Sequence, residues 1–242
     1  MNTTASTKPL APWLMLVSRC LLFLLFQGLI SLVLFLVRQP NAWDESARWW
    51  LFTVILANLV SVFLLVRLFK AEGKRYLDIL RFSKATVGKD LLWIFGSSVV
   101  GVPVMAAPMN TLAPLIFGDR MTPVNMMFQP LPGWALALGF LFPLTIAFAE
   151  LPTYFGYVMP RLASQLKNGW IAWLIASFFL AAQHCFLPLL LDGRFLLWRL
   201  GMYLPFALFA GLMLKLRPSL LPYMAIVHGL IDISTLSVYW MV

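Results

Sequence analysis

Residues 20–37 read CLLFLLFQGLISLVLFLV, an apolar run without a single Asp, Glu, Lys, Arg or His. A helix needs about 20 mostly apolar residues to cross the hydrocarbon layer of a bilayer, so this run reads as a membrane span. The pattern repeats along the chain. Residues 49–66 and 91–118 are equally free of charge, and 133–160, 170–191, 195–214 and 219–242 complete seven runs. Pro103, Pro108 and Pro114 interrupt the third, which gives eight spans if they split it. The expected fold is therefore all-α: a polytopic bundle of seven to eight transmembrane helices in one integral membrane domain over 1–242.

Composition agrees. With 62% hydrophobic and 11% charged residues, the chain lacks the charged side chains needed to wrap its apolar content in water. Cys20 and Cys185 sit inside apolar runs, where no bridge is expected. The first run ends in Val37-Arg38-Gln39-Pro40, without a small-residue cleavage pattern, and reads as an uncleaved anchor rather than a secretory signal.

The net charge of +9 is concentrated in one loop. Arg67, Lys70, Lys74, Arg75, Arg81, Lys84 and Lys89 lie between the second and third runs, and the positive-inside rule puts them in the cytoplasm. With seven spans, Lys8, Arg161, Lys167, Lys215 and Arg217 fall on the same side, so the N-terminus is expected to be cytoplasmic. The basic residues are thus topogenic and imply no nucleic acid partner. Tyr76, Ile79 and Leu80 share a helical face among them, a pattern that suits an interfacial helix on the lipid bilayer.

Ionisable groups deep in a span are costly and usually mark function, by about 2.5–3.5 kcal/mol for an Asp on insertion scales. Four are found here: Glu150 in the fourth run, His184 in the fifth, His228 and Asp232 in the seventh. Arg19 and Arg199 stand close enough to span ends to snorkel. At a rise of about 1.5 Å per residue, the four lie roughly 15, 21, 14 and 20 Å from the cytoplasmic ends of their spans, near one common depth. His228 and Asp232, four residues apart, project from one helix face. Carboxylates and imidazoles at one depth are the parts of a general base and an electrophile. They are also zinc donor types, which makes Glu150, His184 and His228 a candidate zinc set. Beside Glu150, Pro152 removes the backbone donor that would bond the carbonyl of Phe148 and disturbs that turn.

These motifs resemble those of the CPBP (CAAX protease and bacteriocin-processing, or Abi) family of intramembrane endopeptidases. Its first motif, Glu-Glu-x-x-x-Arg with a trailing Gly, is matched by Glu150 and Gly156, with Leu151 and Phe155 standing for the second Glu and the Arg. Its second, Phe-x-x-x-His, is matched by His184, with Leu180 for Phe. Its third, His-x-x-x-Asn or Asp, is matched in full by His228 and Asp232. The resemblance implies a catalytic-type core over about 90–240, preceded by a two-helix extension over about 12–66. It implies catalysis by Glu150, His184, His228 and Asp232, a membrane-bound peptide or lipidated protein as substrate, and a bacterial cytoplasmic membrane as location. Leu151 and Phe155 are an apolar replacement of what would be an ion pair. Two other functions stay open: a non-catalytic peptide-binding, immunity or scaffold protein, and a proton-coupled transporter.

The orientation is testable by labelling. In a chain with Cys20 and Cys185 replaced by Ser, Ser83→Cys should resist an impermeant maleimide added to intact cells and react after permeabilisation. Strong labelling from outside would reverse the topology.

Overall fold

The computed structural model describes residues 9–240; Lys8 and the last two residues of the seventh run lie outside them. Among the described residues, seven helices are long and apolar enough to cross a membrane: Ala11–Leu36, Trp50–Ala71, Val87–Phe117, Gly133–Leu166, Gly169–Phe186, Gly193–Leu216 and Pro218–Tyr239. They are called the first to seventh spans below. The protein is an all-α integral membrane bundle. The third span stays one helix with Pro103, Pro108 and Pro114 inside it, so the count is seven rather than eight. Asp192 accepts the amide N–H groups of Phe195 and Arg194 at the start of the sixth span, which holds its carboxyl below the ordinary range.

The fourth span lies at the centre. It packs against the second and seventh spans chiefly over Leu141–Leu151, against the first near Pro152–Val158, and against the fifth chiefly over Met159–Leu166. The sixth span joins the fifth to the third. The third is the least enclosed, with none of its most apolar stretch buried. Its N-terminal end is fastened by the buried Asp90, which accepts from Arg217 Nε (2.5 Å), Ser219 Oγ (2.8 Å) and Thr86 Oγ1 (2.6 Å).

Two local features set the position of the fourth span. Its helical geometry is α over Leu141–Leu151, π over Pro152–Val158 and α again over Met159–Leu166. The change begins at Pro152, whose missing N–H leaves the Phe148 carbonyl without its usual partner. The Tyr76 hydroxyl from the basic loop donates to that carbonyl. Burial pushes the Tyr76 phenol up, so it stays a donor. The loop is therefore neither an interfacial helix nor a wholly solvated topogenic loop, the two readings its sequence allows: its basic residues Lys74, Arg75, Arg81 and Lys84 are exposed, but its apolar face is packed on the protein. Tyr76–Leu80 forms a short 3₁₀ turn, Tyr76 is buried, and Ile79 and Leu80 pack on the bundle core rather than on lipid. Gly156 makes room for it, since a Cβ there would meet Ile79 Cδ1 at 2.7 Å.

The second feature is the crossing of the fourth and seventh spans. A Cβ on Gly229 would stand 2.9 Å from the backbone oxygen of Pro143, a group that cannot swing aside. Small residues at such crossings allow close helix approach, and this one carries His228 towards Glu150. Gly229→Ala should therefore destabilise the protein by about 1–3 kcal/mol, the range for overpacking. Gly96→Ala, on the third span with nothing within 4 Å of its Cβ, should be neutral or mildly stabilising. Thermal unfolding in detergent compares the two.

Candidate functional site

The fourth span presents Glu150 to the inside of the bundle, with 3% of its surface exposed. The fifth span runs as an α-helix to Gln183 and tightens to one 3₁₀ turn over His184–Phe186. That turn leaves carbonyls for Arg199 of the sixth span, whose Nε donates to His184 O (3.0 Å) and Nη2 to Leu187 O (2.6 Å). The seventh span adds His228 and Asp232, and these four side chains meet in one buried cluster.

The contacts define its geometry. His228 Nε2 lies 3.0 Å from Glu150 Oε1 and 3.5 Å from Asp232 Oδ2, between the two carboxyl groups. His184 Nε2 lies 3.9 Å from Glu150 Oε2. The other ring nitrogen of His184, Nδ1, is 2.9 Å from the Leu180 carbonyl, an acceptor, so Nδ1 carries the hydrogen and Nε2 offers its lone pair towards Glu150 in the neutral ring. Position 180 thus acts through its backbone oxygen. Tyr203 stacks on the His184 ring at a centroid distance of 3.5 Å, and Phe206 stacks on His228 at 5.8 Å.

Sequence reasoning missed half of the cluster. Arg19 and Arg199, expected to snorkel, are both buried, Arg19 completely. Arg19 Nη2 lies 3.7 Å from Glu150 Oε2. Gln183 Nε2 donates to the same oxygen at 2.7 Å, and Gln183 Oε1 accepts from Arg19 Nε at 2.6 Å. Asn58 of the second span accepts from Arg19 Nη1 at 2.9 Å. The two helices read as an N-terminal extension therefore deliver side chains to Glu150. Gln183 carried a signal in its position, as a polar residue next to His184 in an apolar run. Arg19 carried only its distance from the span end, about 12 Å by the helical rise.

Arg19 Nη2 and His228 Nδ1 have no hydrogen-bond partner in the protein, and Glu150 Oε1 and Asp232 Oδ2 have only His228 Nε2 near them. Buried polar atoms are usually satisfied, so these leave bonding capacity for a water or another polar group. His228 also lines a cavity of about 70 Å³ between the third, sixth and seventh spans, together with Gly101, Met105, Leu151, Phe206 and Met224. That volume holds a slender chain or a few waters. Among the described residues, no group of three His, Cys, Asp or Glu side chains is arranged to hold a metal ion, and the guanidinium nearest Glu150 is that of Arg19.

No protein-family model, no curated protein and no solved structure matches the chain.

Leu151 and Phe155 are both buried in the core, and the Phe155 ring fills the space beside Gly211 and Ser177. An acid introduced alone at 151 would be a buried charge without its own partner. Leu151→Glu should lower stability in detergent by about 3 kcal/mol, and Leu151→Glu with Phe155→Arg should lower it less. If the double change is the worse of the two, the two positions do not pair.

Proposed function

We propose that the protein is an intramembrane endopeptidase of the CAAX-protease and bacteriocin-processing type, hydrolysing a peptide bond of a membrane-bound or lipidated peptide. The observation that carries this reading is the pair of facing acceptors, Glu150 Oε2 and His184 Nε2, 3.9 Å apart in a buried cluster. One water can donate to both. Its oxygen attacks the scissile carbonyl carbon while Glu150 takes a proton. The negative charge that develops on the carbonyl oxygen is met by N–H donation from His228, which Asp232 orients. When the C–N bond breaks, Glu150 returns the proton to the leaving nitrogen; the acyl product is a carboxylic acid whose remaining proton passes to the amine, leaving a carboxylate and an ammonium group.

The two oxygens of Glu150 divide this work. Oε2 faces His184 and Gln183, and Oε1 faces His228 and so the cavity that His228 lines. The substrate carbonyl then arrives on the His228 side and the water on the His184 side. The location belonging to this reading is a bacterial cytoplasmic membrane, with the N-terminus and the Arg67 to Lys89 loop in the cytoplasm. A second reading, a peptide-binding relative without catalysis, draws on Leu151 and Phe155, where the resembled motif carries Glu and Arg.

Cleavage of a panel of lipidated and leader peptides in reconstituted membranes tests the proposal. Glu150→Gln keeps the shape but removes the proton acceptor, and turnover should fall by about 100-fold or more. Asp232→Asn should be mild, because an amide oxygen still orients His228. Equal cleavage by Glu150→Gln and the parent would end the assignment. A parent that cuts no peptide of the panel would move the binding reading ahead.

A further inference from the structure

We propose that Arg19 of the first span is a positioning residue for Glu150, acting through the side-chain amide of Gln183. Arginine has five N–H donors and no acceptor. With Arg19 Nε 2.6 Å from Gln183 Oε1, the amide oxygen is held towards the guanidinium and the amide nitrogen is turned to Glu150 Oε2 at 2.7 Å. Tyr154 adds a second donor to the same Gln183 oxygen at 3.4 Å. The guanidinium is fixed in turn by Asn58 Oδ1 at 2.9 Å and Ser61 Oγ at 3.4 Å, both on the second span. Asn58 Nδ2 then donates to Thr145 Oγ1 on the fourth span at 3.0 Å, which closes a ring of bonds from Glu150's own helix back to Glu150.

The geometry separates this role from helix glue. An arginine that serves only to pair a buried carboxylate does so through two short parallel bonds of about 2.7–2.9 Å. Here the guanidinium makes no hydrogen bond to Glu150; its nearest nitrogen stays 3.7 Å away and has no hydrogen-bond partner. Charge compensation is delivered at that distance, and orientation is delivered through the amide. Oε2 is thereby held in the plane of Gln183, and Oε1 is left facing His228 at 3.0 Å. The amide also stands next to His184 in sequence, so Arg19 sets the carboxylate against the same turn that presents the imidazole.

The consequence for hydrolysis rests on the reading in the preceding subsection, whereas the consequence for Glu150 itself does not. Infrared difference spectra of the full-length protein, parent against Glu150→Gln, isolate the Glu150 carboxyl band. In Arg19→Met, the carboxylate band should move or give way to that of a protonated carboxyl group, because Gln183 loses the donor that holds its amide and the buried charge loses its guanidinium, keeping only the imidazoles of His228 and His184. In Arg19→Lys the group should stay ionised, but its band should move, reporting the lost Gln183 bond. Should Arg19→Met fail to fold, Arg19→Met with Glu150→Gln should fold, since both buried charges are gone, and Arg19→Lys carries the spectral test. With whichever peptide the parent cuts, Arg19→Lys should lower kcat by about 100-fold, the cost of a misplaced reacting group, with KM changed less than about twofold. A carboxylate band identical to the parent's in Arg19→Met or in Arg19→Lys overturns the proposal, as does a parental kcat in Arg19→Lys. If the parent cuts nothing, the hydrolytic reading fails alone, and the spectra still decide the role of Arg19.

Discussion

A carboxylate buried among apolar helices has no bulk water to solvate it, so the protein must supply its counter-charge and its hydrogen bonds. Much of this bundle is arranged around that requirement at Glu150. The first span sends Arg19, the fifth sends Gln183 and His184, and the seventh sends His228. The second span holds Arg19 through Asn58, and the sixth holds the turn at His184 through Arg199. In a membrane the hydrophobic effect does little to choose one helix packing over another, because lipid is as apolar as leucine. Polar contacts and close small-residue crossings such as Gly229 against Pro143 then decide which helices meet.

Much of this was legible in the sequence, for physical reasons. Seven spans follow from run length, because the bilayer has a fixed thickness. Glu150, His184, His228 and Asp232 stood out as ionisable groups at matched depth, and a constant helical rise converts residue counts into depth. Their meeting in space follows, since membrane-embedded charges must find one another rather than lipid. Arg19 was not legible by the same rule. A long cationic side chain within two or three turns of a span end can reach the interface or turn inward, and only the presence of Glu150, Gln183 and Asn58 at its level decides between them. The basic loop was ambiguous in the same way, because the face Tyr76, Ile79 and Leu80 fits a lipid surface and a bundle surface equally well.

Tyr76 shows what the local pattern concealed. Pro152 frees the Phe148 carbonyl, two residues from Glu150, and in hydrocarbon a bare carbonyl is expensive. The sequence announces the broken bond but not its replacement, which comes from a loop 72 positions earlier in the chain. The hydroxyl makes the π segment tolerable. It also ties the loop of highest positive charge to the helix that bears the buried acid, so the basic loop and the polar cluster are joined by a direct bond. An isolated proline kink would have needed none of this.

The cluster is also asymmetric. Gln183 bonds Glu150 Oε2 and Arg19 stands beside it, whereas Oε1 and Asp232 Oδ2 share the single His228 Nε2, at 3.0 and 3.5 Å, and His228 Nδ1 and Arg19 Nη2 have no hydrogen-bond partner in the protein. A polar network selected only to hold helices together gains from satisfying every member, because each buried orphan costs stability. This network is more densely bonded towards the second and fifth spans than towards the seventh, where His228 borders the cavity beside the loosely enclosed third span. Such an asymmetry combines a rigid backing that fixes the carboxylate with a face whose polar atoms are free to bond something else.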